Sequence, residues 1–206
     1  MAGKVFFSVS MSLDGFIAPD SPEELMGTQW MELQQWVFRQ RHFRENLGLG
    51  KGGEEGRDND IVTETFERTG ASVMGKRMFD AGEQMWPEQA PFHTPVFVVT
   101  HEEREPWERP GGTTFHFVGD GIESALDHAR LAAGSRDVRV AGGGTTIVEY
   151  LNAGLIDKFH VAISPVLFGS GVRLFEGVED SRVRLEQTGT ESSTRTTHLY
   201  YDVHVR

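Results

Sequence analysis

Short apolar runs alternate with polar, helix-spaced stretches along this chain, and that alternation predicts a layered α/β protein. Residues 4–11, Lys-Val-Phe-Phe-Ser-Val-Ser-Met, read as a buried strand. Ser12-Leu13-Asp14-Gly15 follows as a turn, because Asp-Gly accepts a tight backbone. Phe16-Ile17-Ala18 runs on until Pro19 stops it. Trp30, Leu33, Trp36 and Val37 recur at helical spacing and predict a helix over 28–46. Gly48 to Gly56 is glycine-rich and charged, which predicts a flexible surface loop. A second helix is predicted over 59–69, with Val62 and Phe66 facing inward.

From there the element types alternate. Ala71–Met74 reads as a short strand, and Gly75-Lys76-Arg77 opens a short helix. Val96–Thr100 and Thr114–Val118 read as strands. Asp120 and Glu123 have the spacing of a capping box and predict a helix ending at Gly134. Val138–Ala141 is a predicted strand, and Gly142-Gly143-Gly144-Thr145-Thr146 leads into a helix ending at Gly154. Lys158–Ile163 is a further strand, and 183–191 with 196–204 predict an antiparallel hairpin. Strands alternating with helices imply crossover connections and a mostly parallel central sheet. Neither an internal repeat nor a domain boundary stands out, so one α/β domain over 1–206 is expected.

Composition narrows the function classes. The chain has 206 residues, no cysteine and a formal charge of −11. Without cysteine there are no disulfides, no thiolate nucleophile and no Cys-ligated metal. That fits a reducing cytoplasm, the expected location. Nucleic-acid binding needs a basic face, which this charge balance argues against. No apolar run approaches the roughly 20 residues that span a bilayer, so no membrane partner is expected. No HExxH or GxSxG motif is present, and the eight histidines are scattered, so no metal site is expected. A negative chain that binds a polyanionic cofactor must gather its cations locally.

Three predicted strand ends carry candidate chemistry. At Val140-Ala141-Gly142-Gly143-Gly144 a buried strand meets a helix start through three glycines. Backbone without Cβ atoms can approach a phosphate, and a helix N-terminus offers free N–H donors. A tight turn with no ligand explains the same pattern equally well. Met74-Gly75-Lys76-Arg77-Met78 adds two adjacent cations, suited to a 2′-phosphate, although a lone Lys-Arg pair is usually plain surface. Thr100-His101 closes the next strand, with Arg104 near in sequence. Ligands of open α/β sheets sit beyond the carboxyl ends of strands, so three such ends favour a cofactor cleft. Gly48-Leu49-Gly50-Lys51-Gly52-Gly53 fits GxGxxG but follows a helix, and Gly70–Lys76 lacks the Ser or Thr of a Walker loop. Trp30 and Trp36 suit either a flat substrate pocket or the core.

Ser10-Met11-Ser12-Leu13-Asp14-Gly15-Phe16-Ile17-Ala18 resembles the opening of the riboflavin-pathway reductase domain and its dihydrofolate reductase relatives. Val73–Phe79, Val140–Gly144 and Ile163–Gly171 resemble their later motifs, in family order. The resemblance implies a three-layer dihydrofolate reductase-like fold that binds NADPH. Ser10, Ile17 and Ala18 would flank the nicotinamide. Gly75, Lys76, Arg77 and Met78 would grip phosphates of the adenosine half, with Thr100 and His101 at its ribose phosphate. Gly142, Gly143, Gly144, Thr145 and Thr146 would hold the pyrophosphate.

Catalytic candidates are Asp14, which suits a structural turn or a proton donor, and Glu32, the only acid in the core segment of the first helix. Trp30 is the substrate-binding candidate. The implied reaction is hydride transfer to a small conjugated C=N or C=O substrate, pteridine- or pyrimidine-like. The riboflavin-pathway ribosylaminouracil phosphate reductase, a flavin-linked or quinone reductase and a non-catalytic nucleotide-binding module are the alternatives. The terminal hairpin and late loop would serve a homodimer.

Overall fold

The computed structural model describes residues 3–21, 24–179 and 181–206. The first elements are β1 (Val5–Ser12), β2 (Phe16–Ala18), α1 (Thr28–Leu33), α2 (Gln35–Phe38), α3 (Arg41–Asn46) and α4 (Arg57–Arg68). Then come β3 (Thr69–Gly75), α5 (Lys76–Glu83), β4 (Pro95–Val99), β5 (Trp107–Arg109), β6 (Thr113–Val118) and α6 (Ile122–Ala133). The chain closes with β7 (Asp137–Gly142), α7 (Gly144–Asn152), β8 (Lys158–Ser164), β9 (Val172–Arg173), β10 (Val183–Ser192) and β11 (Thr197–Val205). The architecture is α/β, with a mostly parallel central sheet and added antiparallel strands.

The chain divides into two compact units, one of Gly3 with Val37–Arg139 and one of Lys4–Trp36 with Val140–Arg206. In the first, β3, β4 and β6 run parallel, and β5 pairs antiparallel with β6 at the edge. Ala71, Val73, Met74, Val96 and Val98 are fully buried, as β-branched and apolar runs of parallel strands are. α6 packs on β3 and β4 with Ala125, Leu126 and Ala129 buried, and the two alanines let helix and sheet approach closely. Phe79 of α5 is fully buried and meets Trp86, Trp107, Phe115 and Phe117 edge-on.

In the second unit β1 and β8 pair in parallel, β11 runs antiparallel to β8, and β10 closes the hairpin on β11. Phe7 and Phe159 are direct cross-strand partners and stack at 4.6 Å. A buried polar chain crosses the same strands. Ser8 Oγ lies 2.8 Å from His160 Nδ1, and His160 Nε2 lies 2.9 Å from His198 Nδ1. β2 pairs with β9 in a small separate ladder.

The structure corrects several expectations. The helix expected over 28–46 is three short helices. Ser164 Oγ donates to the Leu33 carbonyl at 2.8 Å, an acceptor that a continuous helix would use itself. Gln40 is extended, and the glycine-rich loop folds back on it through Arg41 N to Glu54 O at 2.9 Å and Glu54 N to Arg39 O at 2.7 Å. Gly53 lies so close to Arg41 that a Cβ would meet its Cα at 2.7 Å. The Asp120–Glu123 capping box does not form. α6 starts one residue later, from Gly121 at φ 93°, with no side-chain cap. β5 and β9 were not expected from the sequence.

Candidate functional site

In the second unit, parallel pairing places Ser12 opposite Ser164, so the turn after β1 and the loop after β8 emerge side by side. Asp14 joins them. Its carboxylate accepts Ser12 Oγ at 2.7 Å, Phe168 N at 3.1 Å and Gly169 N at 2.7 Å. The Ser12 hydroxyl first, and the loop amides after it, hold the Asp14 carboxyl down at about 2. Asp14 is therefore ionised at neutral pH and ties the turn after β1 to the loop after β8.

Ser10 is buried, and its hydroxyl is engaged on both sides. It donates to Gln34 Oε1 at 2.8 Å and accepts the Trp36 indole N–H at 2.9 Å. Ser10 thus fixes the end of α1 and the start of α2 against β1. Trp36 is core, edge-on to His198 at 5.0 Å. Trp30 is half-buried on α1, and Glu32 is exposed there.

The triple-glycine turn lies at the carboxyl end of β7. Gly142 has φ 134°, a conformation open mainly to glycine, and its peptide bond to Gly143 is cis. Gly143 is the N-cap of α7 without a side-chain cap, and a Cβ added there would meet nothing within 4 Å. The first intrahelical bond runs from Ile147 N to the Gly143 carbonyl at 3.0 Å. The N–H groups of Gly144, Thr145 and Thr146 precede it and have no intrahelical acceptor. Gly144 is buried against Ile17 and Val172, where a Cβ would come within 3.1 Å and 3.0 Å of their side chains. The structure so brings Ile17 to this turn. Thr145 is exposed and Thr146 buried, while Ala18 continues β2 half-buried.

In the first unit, Gly75 pairs with Val99 at the ends of β3 and β4. This brings the start of α5 beside Thr100, His101 and Glu102. Thr100 is buried, and its Oγ accepts the Glu102 N–H at 3.0 Å. Lys76 Nζ lies 2.6 Å from Asp80 Oδ1 and 3.1 Å from Glu102 Oε2. The Asp80 hydrogen bond, and then Glu102, raise the Lys76 ammonium above its usual range. Arg77 and His101 are exposed and Met78 is half-buried. Arg104 pairs with Glu83 at 2.5 Å and lies over the Phe117 ring.

Sequence reasoning missed Asp80 and Glu102 as partners of Lys76, and Gln34 as a partner of Ser10. Lys76 and Asp80 have the i, i+4 spacing of a helical ion pair, a signal that was available. Glu102 needed the strand register. It also missed a cavity of about 500 Å³ in the first unit, lined by Phe97, Arg104, His116, Phe117 and His128. Burial, and then His128, push the His116 imidazole below its usual value. Among the described residues no group of three or more His, Asp or Glu is suited to a metal ion. None of their helices is long and apolar enough to cross a membrane.

The fold is that of the dihydrofolate reductase-like proteins. The chain superposes on a putative riboflavin biosynthesis protein from Shewanella sp. PV-4 with a TM-score of 0.66, at 23% identity over 99% of each chain. It superposes on dihydrofolate reductase from Enterococcus faecalis, complexed with NADP(H) and RAB-propyl, with a TM-score of 0.56. That match has 13% identity and covers 100% of this chain and 98% of the other. Residues 3–199 match the RibD C-terminal domain, and the chain belongs to that family. The uncharacterized protein YyaP of Bacillus subtilis (strain 168) is 32% identical over 76 residues, which span 37% of this chain and 39% of YyaP.

Proposed function

We propose that the chain is an NADPH-dependent reductase acting on a small pteridine- or pyrimidine-like substrate. The observation that carries this reading is the turn after β7. Three glycines lead into α7, whose first amides have no intrahelical acceptor, and a Cβ at Gly143 would meet nothing within 4 Å, an arrangement that suits the negative charge of a pyrophosphate. Membership of the RibD C-terminal domain family supports it, as does the likeness to a dihydrofolate reductase complexed with NADP(H).

Gly144, Thr145 and Thr146 would hold the pyrophosphate by backbone N–H groups. Lys76 and Arg77 would face the adenosine phosphate. When bound, the nicotinamide supplies a hydride for a conjugated C=N or C=O group. Ser10 and Asp14 would position β1 and its turn, through the Ser10 bonds to Gln34 and Trp36 and the Asp14 bonds to Ser12 and the 168–169 amides. The proton for the product would come from water.

Calorimetry with NADPH tests the binding step, and NADPH oxidation across a panel of pteridines, pyrimidines and small carbonyls tests turnover. Heat on binding together with turnover of one panel member is the expected result. Absence of heat overturns the reading. Binding without turnover favours a nucleotide-binding module, a second reading that rests on Asp14 being held ionised and Glu32 lying exposed. A homodimer is part of the proposal, with the exposed strand β10 as its surface, and sedimentation measures it.

A further inference from the structure

Lys76 is the natural cation for an adenosine 2′-phosphate, yet its ammonium faces two carboxylates rather than open solvent. Asp80 reaches it from the next turn of α5, and Glu102 reaches it from the turn after β4. The fold fixes the Glu102 backbone beside Lys76, and the exposed side chain reaches the ammonium from there. The β3–β4 register sets Gly75 beside Val99, and buried Thr100 pins the Glu102 backbone by accepting its N–H. Beside Arg77, a further cation near in sequence, Arg104, is tied to Glu83 and laid over the Phe117 ring.

We propose that Glu102 is a specificity-determining residue that competes with the cofactor 2′-phosphate for Lys76 and narrows the preference for NADPH over NADH. The proposal rests on the reading that this turn holds the adenosine ribose. A 2′-phosphate carries about −1.5 to −2 charge at pH 7, so it must displace Glu102 or sit against it. A 2′-hydroxyl has no such conflict, since a carboxylate accepts its hydrogen bond. Asp80 stays on Lys76 in either case, as an i, i+4 partner within the helix.

The test measures Kd for NADPH and for NADH by calorimetry in the whole chain, in Glu102→Gln and in Glu103→Gln. Glu103 removes the same net charge one residue away. Both glutamates are exposed, and thermal melts confirm that each variant folds. In Glu102→Gln the ratio of Kd for NADH to Kd for NADPH rises about fivefold, while in Glu103→Gln it moves less than about twofold. An unchanged ratio in Glu102→Gln, or an equal rise in both variants, overturns the proposal and leaves the dinucleotide reading standing. If the unaltered chain binds neither dinucleotide, that reading fails and the proposal falls with it.

Discussion

The turn after β7 leads into a helix whose amides at Gly144, Thr145 and Thr146 have no intrahelical acceptor, whereas the turn after β3 presents a lysine already held by two carboxylates. Backbone amides carry no net charge, so no neighbouring side chain can neutralise them. They offer the same donors to any phosphate. The Lys76 turn has the opposite character, because its attraction for an anion depends on what its own acids leave over. On the proposed reading, the glycine turn would set whether a dinucleotide binds, and the Lys76 turn would set which one.

Several substitutions break or sharpen that contrast. The largest effect belongs to Gly144→Val, because a Cβ there crowds Val172 and Ile17. Urea unfolding should show a loss of about 1–3 kcal/mol, the usual cost of overpacking. Both dinucleotides should then fail to bind in calorimetry. Ser10→Ala leaves the Trp36 indole and the Gln34 carbonyl oxygen without their shared hydroxyl. Stability falls by about 1–2 kcal/mol in the same assay.

Gly143→Ala separates binding from folding. Its Cβ meets nothing in the protein, so stability holds within about 0.5 kcal/mol. Affinity for NADPH and NADH falls together, because the methyl enters the space offered to the pyrophosphate. The double variant Lys76→Ala, Arg77→Ala weakens NADPH several-fold and NADH little. Equal loss of both would remove the 2′-phosphate assignment.

The smallest effect is a pH dependence from Asp14. Its folded pKa of about 2 lies below the model-compound value of 3.8. Its contribution to stability is therefore complete above about pH 4 and is lost as the pH falls toward 2. Asp14→Asn should flatten that acid limb in pH-dependent melts.

Much of the fold was legible because buried strands declare themselves as apolar runs. The three strand ends were visible for the same reason, each as an apolar run meeting glycine or a polar pair. The break within 28–46 was hidden, since Leu33 and Trp36 stay buried at near-helical spacing while tertiary bonds to Leu33 and Arg41 interrupt the backbone. β5 and β9 are only three and two residues long and exist through their partners β6 and β2, so no periodicity could show them. Glu102 was hidden for a different reason. Its contact with Lys76 follows from the register of two strands, which a linear pattern does not contain.

The indole of Trp36 is sealed in the core, bonded to Ser10 and set against His198. The protein thus carries a built-in fluorophore on α2, bonded to β1, the strand whose turn leads toward the proposed nicotinamide subsite. Any ligand that shifts β1 or α1 changes the polarity around that ring, and its emission reports the event without an attached label. Trp86 and Trp107 sit together in the Phe79 cluster, and replacing both with phenylalanine would leave the emission of Trp30 and Trp36 to be followed against a dark background.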